Sequence, residues 1–280
     1  MNNAVGTAAR NTASSSLALP IIGVLIAIAV TTTMDATGLS AFSALALLPL
    51  MLLFWYVERL SRSEMGFKWG SPADFALALL YPVVVIGLIV IAATFAGAVD
   101  LSKTNWQKAL LNLVIVTIST ALVAIITEEG FFRGWLWGSL RRRRISEAQV
   151  LIYTSIAFSA WHISAVTLDT DYRPATSQIL IFLINAAVIG IVWGMLRWIS
   201  GSIIVASCSH GLWNGIAYVF FRLWDKNRCA RRPEHFNLRS RNRHSRIDRQ
   251  CRLCAGVMAI VADAPLSNRS KRCRTLTIHH

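Results

Sequence analysis

The sequence predicts an all-α fold, a polytopic transmembrane helical bundle of about seven spans, and three observations carry that prediction. The 280 residues are 55% hydrophobic and only 15% charged, with a mean hydropathy of +0.51, which is too apolar for an ordinary soluble domain. Apolar runs of the length that crosses a bilayer, roughly 20 residues, recur through the first 221 positions. The net charge of +14 lies elsewhere: residues 222–280 hold 15 of the 28 Lys and Arg side chains but only 4 of the 14 acids. The basic balance is therefore a property of the tail, and no specific nucleic-acid partner follows from it. Cysteines divide the same way, with Cys208 alone in the apolar part and Cys229, Cys251, Cys254 and Cys273 after it, which is no disulfide framework.

Residues 1–16 are small and polar, an N-terminal tail with Arg10 as its one basic side chain. The apolar run 17–30 has only this weak basic flank and is followed at once by further spans, so it reads as an uncleaved first helix rather than a signal peptide. The second span, 39–57, contains Pro49, which membrane helices tolerate. A polar connector, 58–72, has Met65-Gly66-Phe67 as an interfacial turn. Residues 75–99 make the third span, 109–140 a long fourth, 148–168 the fifth and 178–199 the sixth. Ser200-Gly201-Ser202 turns the chain into a seventh span, 203–221, which completes a transmembrane domain of residues 17–221.

Basic side chains in short loops stay on the cytoplasmic side. Arg141-Arg142-Arg143-Arg144 sets the orientation, and the connector bearing Arg59, Arg62 and Lys68, the Arg197 end and the N-terminus fall on that same side. This is the pattern of a multi-pass integral membrane protein with a cytoplasmic N-terminus.

The chemistry concentrates at Thr127-Glu128-Glu129-Gly130-Phe131-Phe132-Arg133. Ionisable side chains at membrane depth are costly and by default mark a functional site. Glu129 and Arg133, four apart, share a helical face and pair; Glu128 points roughly 100° away and is left for other work. Only two other apolar segments carry a histidine, in Phe158-x-x-x-His162 and His210-x-x-x-Asn214. At about 1.5 Å rise per residue, Glu128, His162 and His210 all lie about 20–24 Å from the same basic end, as a shared site requires. A lone membrane histidine is as often a hydrogen-bond partner between helices, so it is the combination that points to chemistry. A carboxylate and an imidazole can hold one water and remove its proton, and a second imidazole with an amide N–H can stabilise an oxyanion. One Glu and two His, here Glu128, His162 and His210, equally make a zinc set with metal-bound water as nucleophile. A proton-coupled transporter using Glu128 is a third reading, but the paired halves and broken helices of transporters are not seen.

Glu128-Glu129-x-x-x-Arg133, Phe158-x-x-x-His162 and His210-x-x-x-Asn214, in this order on successive apolar segments, resemble the CPBP family (CaaX protease and bacteriocin-processing, or Abi) across about residues 105–220. The resemblance implies an intramembrane endopeptidase acting on a membrane-associated, prenylated CaaX-type protein or peptide in membrane lipid, in a bacterial cytoplasmic membrane. It implies that Glu128 and His162 activate water and that His210 and Asn214 stabilise the oxyanion. Glu129, Arg133 and Phe158 would support the site, and a glutamate-activated water is preferred to a metalloprotease. The same family includes bacteriocin-immunity and scaffold proteins, which makes a non-catalytic role the alternative. It typically has about eight spans; after Phe221 the apolar content collapses and arginines crowd, so residues 222–280 read as a disordered or out-of-frame tail in place of a last helix.

Overall fold

The computed structural model describes residues 16–102, 104–168 and 174–230. Among them it is all helical. Helix α1 is Ala18–Ala36; a tight 3-10 segment, Ser40–Ala46, leads into α2, Leu47–Glu58. The short α3, Arg62–Met65, is followed by α4, Pro72–Phe95, and α5, Trp106–Ile126. A π-helical segment, Glu129–Leu136, joins α5 to α6, Trp137–Arg142. Then come α7, Glu147–Trp161, the one-turn α8, Ile163–Thr167, α9, Thr176–Ser200, and α10, Ile203–Ala230. Seven stretches are long and apolar enough to cross a membrane: Ala18–Ala36, Ser40–Glu58, Pro72–Phe95, Trp106–Arg142, Glu147–Thr167, Thr176–Ser200 and Ile203–Phe220.

Local chemistry explains where these helices start. Ser61, Ser71 and Ser146 each accept from the amide three residues on, and the Glu64, Asp74 or Gln149 side chain returns the bond to the cap amide. Pro49 falls near the start of α2, where a missing amide costs nothing, and it produces no break. Gly66 and Gly201 end their turns at φ +77° and +66°, the left-handed region that glycine enters freely.

The bundle is apolar outside, and its interior combines an aromatic and aliphatic core with buried polar and charged side chains. Leu80, Val83, Leu88, Leu110, Ile115, Leu122, Ile181 and Ile184 are exposed, while Asp35, Glu129, Arg133 and Arg197 are buried. That inversion suits a lipid solvent, in which helices gain nothing by hiding leucine and associate through close packing and polar contacts. Helix α10 packs on α5 and α4, and α7 on α9. At the first of these contacts Gly211 lies against the Thr117 carbonyl and Ala121, and Gly215 against Leu113 and Thr117, so the two backbones meet without intervening side chains. On α1 the buried stripe Gly23, Ala27, Thr31, Asp35 does similar work, with Gly23 under the Trp135 ring.

One end of the bundle is tied by charge. Arg143 bridges Glu58 at 2.7 Å and reaches the Ser16 carbonyl, while Arg142 bridges Glu64 at 2.8 Å and donates to the Glu58 carbonyl. Ser202 donates to the Lys68 carbonyl, and the Ile203 amide to that of Gly66. The N-terminal end of α1, the 58–68 connector, the arginine cluster and the α9–α10 turn thus share one face, as the charge pattern expected. The long fourth span differs from expectation, because α5 breaks at Thr127 before the π segment. The last helix also runs on to Ala230, into the start of the basic tail. Residues 1–15 and Cys251, Cys254 and Cys273 lie outside the described residues.

Two outcomes are expected. Gly211→Leu drives a side chain into α5; overpacking of about 1–3 kcal/mol should lower the thermal unfolding temperature in detergent, and an unchanged melt would count against the close α5–α10 contact. Burial alone would push Glu64 up, but the Ser61 amide and hydroxyl and the Arg142 guanidinium outweigh it and hold the carboxyl below its ordinary range. The stability Glu64 adds is therefore fully present above its unfolded pKa of about 4.3 and is lost as pH falls through the lower folded value. Unfolding followed from about pH 6 to 3 should show this acid loss, reduced in Glu64→Gln.

Candidate active site

The break at Thr127 releases the helix just before the two glutamates. The i→i+5 bonding of Glu129–Leu136 widens the helix there and turns each residue through a smaller angle than an α-helix does. Glu128 and Glu129 consequently both address His210, rather than pointing apart. His210 Nδ1 is 3.1 Å from Glu129 Oε1, and Nε2 is 3.9 Å from Glu128 Oε2. The difference between the two acids is exposure: the Glu129 side chain is fully buried, whereas that of Glu128 retains 18%. Glu128 is the carboxylate that a water or substrate can reach.

Glu129 Oε1 also meets Arg133 Nη1 at 3.3 Å, the pair expected from the i,i+4 spacing. Arg133 is wholly buried and donates through Nη2 to the Gly190 carbonyl at 3.0 Å. The missing side chain at Gly190 leaves room for this, since a Cβ there would lie 3.2 Å from Ser155 and 3.3 Å from the guanidinium. The guanidinium stands 4.4 Å over the Phe158 ring and 5.8 Å from that of Trp193. Phe158 serves twice, because its carbonyl accepts a hydrogen bond from His162 Nδ1 at 2.8 Å and so leaves Nε2 as the nitrogen open to the site.

His162 sits at the C-terminal end of α7, edge-on to Phe158 and Trp161, with Glu128, His210 and Arg133 near enough to act on it electrostatically. The π segment and the Glu128 before it, α7 and α10 thus bring Glu128, Glu129, Arg133, Phe158, His162 and His210 together. Asn214 is half-buried one turn beyond His210 on α10, and its amide makes no hydrogen bond to the described residues.

Glu128, His162 and His210 do not make a metal-ligand set. Among the described residues, no group of three or more His, Cys, Asp or Glu side chains is arranged to hold an ion. One ring nitrogen of each histidine is engaged, by Glu129 and by the Phe158 carbonyl, which leaves the second nitrogen of each for other partners.

Two contributors escaped the reading of the sequence. Trp193 stacks on the His210 ring at 3.8 Å and 14°, which fixes the plane in which the two nitrogens meet the two carboxylates. Arg197, read from the sequence only as an orientation marker, is buried; it donates through Nε to the Arg133 carbonyl and through Nη2 to that of Glu64, which ties the π segment to the connector. Neither has a motif spacing; an arginine inside an apolar span was the one available signal for the second.

The fold and this site define a polytopic α-helical membrane protein with an acid–imidazole cluster sunk among its spans. A family model described as Rce1-like, type II CAAX prenyl endopeptidase, matches residues 110–216. The resemblance to CaaX proteases is thereby borne out over the region that carries all three motifs. Comparisons with curated proteins and with solved structures each returned no match.

The buried pair gives a sharp expectation. Arg133→Met leaves Glu129 with His210 alone and should destabilise by about 3–5 kcal/mol, while Glu129→Gln with Arg133→Met should recover much of that loss. Unfolding of both single variants and the double variant in detergent measures the coupling. Strictly additive losses would show that the pair is not the unit described.

Proposed function

We propose that the chain is an intramembrane endopeptidase that hydrolyses a peptide bond of a membrane-associated protein, with a prenylated CaaX-type substrate as the class to test first. The observation that carries the reading is one partly exposed carboxylate, Glu128, beside two imidazoles in an otherwise water-poor apolar site. Water held between Glu128 and His162 Nε2 would give one hydrogen to each acceptor, which aims its free lone pair at the scissile carbonyl. Glu128 takes the first proton as the carbon–oxygen bond forms. It returns that proton to the leaving amine as the carbon–nitrogen bond breaks, and His162 accepts the second proton from the new carboxyl group.

His210 has two carboxylates around it. With a proton on each ring nitrogen it donates to Glu129 through Nδ1 and offers Nε2–H near Glu128, which balances two acids against His210 and Arg133. That N–H, with the Asn214 amide, is the oxyanion donor set we assign. The low dielectric of the span strengthens each of these interactions. We take residues 17–221 as the membrane domain, with the catalytic core at about 105–220. The face bearing Arg141–Arg144 is assigned to the cytoplasm.

Glu128→Gln in proteoliposomes should reduce cleavage of a prenylated CaaX peptide by at least about 100-fold while leaving the unfolding temperature within a few degrees of wild type. Full cleavage by Glu128→Gln, or none by the wild type, would remove the reading.

A further inference from the structure

Arg197, in the last turn of α9, is buried and joins two separate stretches of backbone. Its Nε donates to the Arg133 carbonyl at 3.1 Å and its Nη2 to the Glu64 carbonyl at 3.0 Å. Room for the guanidinium comes from Gly66, where a Cβ would lie 2.6 Å from Nε. The carbonyl of Arg133 has lost its ordinary partner. In an α-helix the Trp137 amide, four residues on, would bond to it. Here that amide donates to the Phe132 and Gly134 carbonyls instead. The exit from the π segment thus withdraws the α-helical donor from the Arg133 carbonyl, and Arg197 stands in its place.

In lipid no water satisfies a carbonyl released from a helix, so a π turn at membrane depth takes its donor from elsewhere in the protein. One face of α9 supplies it. Gly190 accepts from the Arg133 side chain, Trp193 stacks on His210, and Arg197 donates to the Arg133 carbonyl, at spacings of three and four residues along the helix. The Arg197 guanidinium also stands 5.9 Å from the Trp137 ring, on the residue whose amide bonds elsewhere. Orientation in the membrane does not account for this arrangement. A basic side chain that marks the cytoplasmic side by its charge needs neither burial nor two aimed hydrogen bonds.

We infer that Arg197 is a positioning residue for Glu128 and Glu129: by capping the Arg133 carbonyl it holds the π turn, and the π turn aims both carboxylates at His210. Without the cap the segment relaxes toward an α-helix, in which consecutive side chains stand about 100° apart and only one of the two acids faces the imidazole. The consequence for catalysis rests on the proposed hydrolysis; the consequence for geometry does not. Arg197 touches neither substrate nor the reacting atoms and acts through the backbone of the π segment.

The test compares Arg197→Lys, Gly66→Ala and Glu64→Gln in proteoliposomes with the same prenylated peptide. Arg197→Lys keeps the charge but has one nitrogen where two are aimed at two carbonyls. It should lower kcat at least about tenfold with KM within about twofold. Gly66→Ala keeps the arginine and displaces its guanidinium, so it should act in the same direction, and it replaces Arg197→Lys if that variant does not fold. Glu64→Gln breaks the ion pair to Arg142 but leaves the carbonyl that Arg197 uses, and should keep kcat within about twofold. Wild-type kcat in Arg197→Lys, a loss confined to KM, or an equal loss in Glu64→Gln overturns the inference. A second readout needs no cleavage. The ring-nitrogen resonances of His210 in isotope-labelled protein, assigned by their loss in His210→Gln, should move in Arg197→Lys and stay in Glu64→Gln. Unmoved resonances in Arg197→Lys overturn the inference whatever the activity, whereas an inactive wild type with moved resonances removes the protease reading alone.

Discussion

The ion pair between Glu129 and Arg133 is the constraint on which the surrounding structure depends. Both side chains are fully buried in a segment that lipid surrounds, where an uncompensated charge has no water to turn to. Much of the local architecture can be understood as compensation. Gly190 exposes a carbonyl to the guanidinium, Phe158 and Trp193 present ring faces to it, and His210 shares the Glu129 oxygen. The π geometry belongs to the same solution, because a wider turn lets consecutive acids face one imidazole.

Around that centre the bundle follows the rules of a lipid solvent. Large aliphatic side chains face outward, and helices approach through glycine contacts such as Gly211 and Gly215 against α5. Rigidity at the basic end comes from paired charges. Arg142, Arg143 and Arg197 are anchored to the connector and to backbone carbonyls, so residues that set orientation by their charge also hold the π segment in place. One set of arginines thereby links membrane topology to the geometry of the site.

The two glutamates, adjacent in the chain, divide their tasks by accessibility. The Glu129 side chain is sealed, whereas that of Glu128 keeps 18% of its surface exposed. His162 and His210 divide similarly, one held by a backbone carbonyl and the other by a carboxylate. Of the two, only His210 is in direct contact with an acid.

Seven spans, their boundaries to within a few residues, the shared basic face and the Glu129–Arg133 pair were all readable in the sequence. Each depends on local quantities: run length, charge position and the four-residue spacing of Glu129–Arg133 and His210–Asn214. What the sequence left open involves groups far apart in the chain. The π turn could not be seen, because its spacing is also that of an ordinary helix, and so Glu128 was expected to point away from Glu129. Trp193 over His210 and Arg197 on the Arg133 carbonyl have no motif, since packing and not periodicity brings them together. Composition and spacing determined which charges lie within the membrane. Tertiary packing decided which of them meet, because in a low-dielectric interior each buried charge takes its partner from whichever helix comes closest.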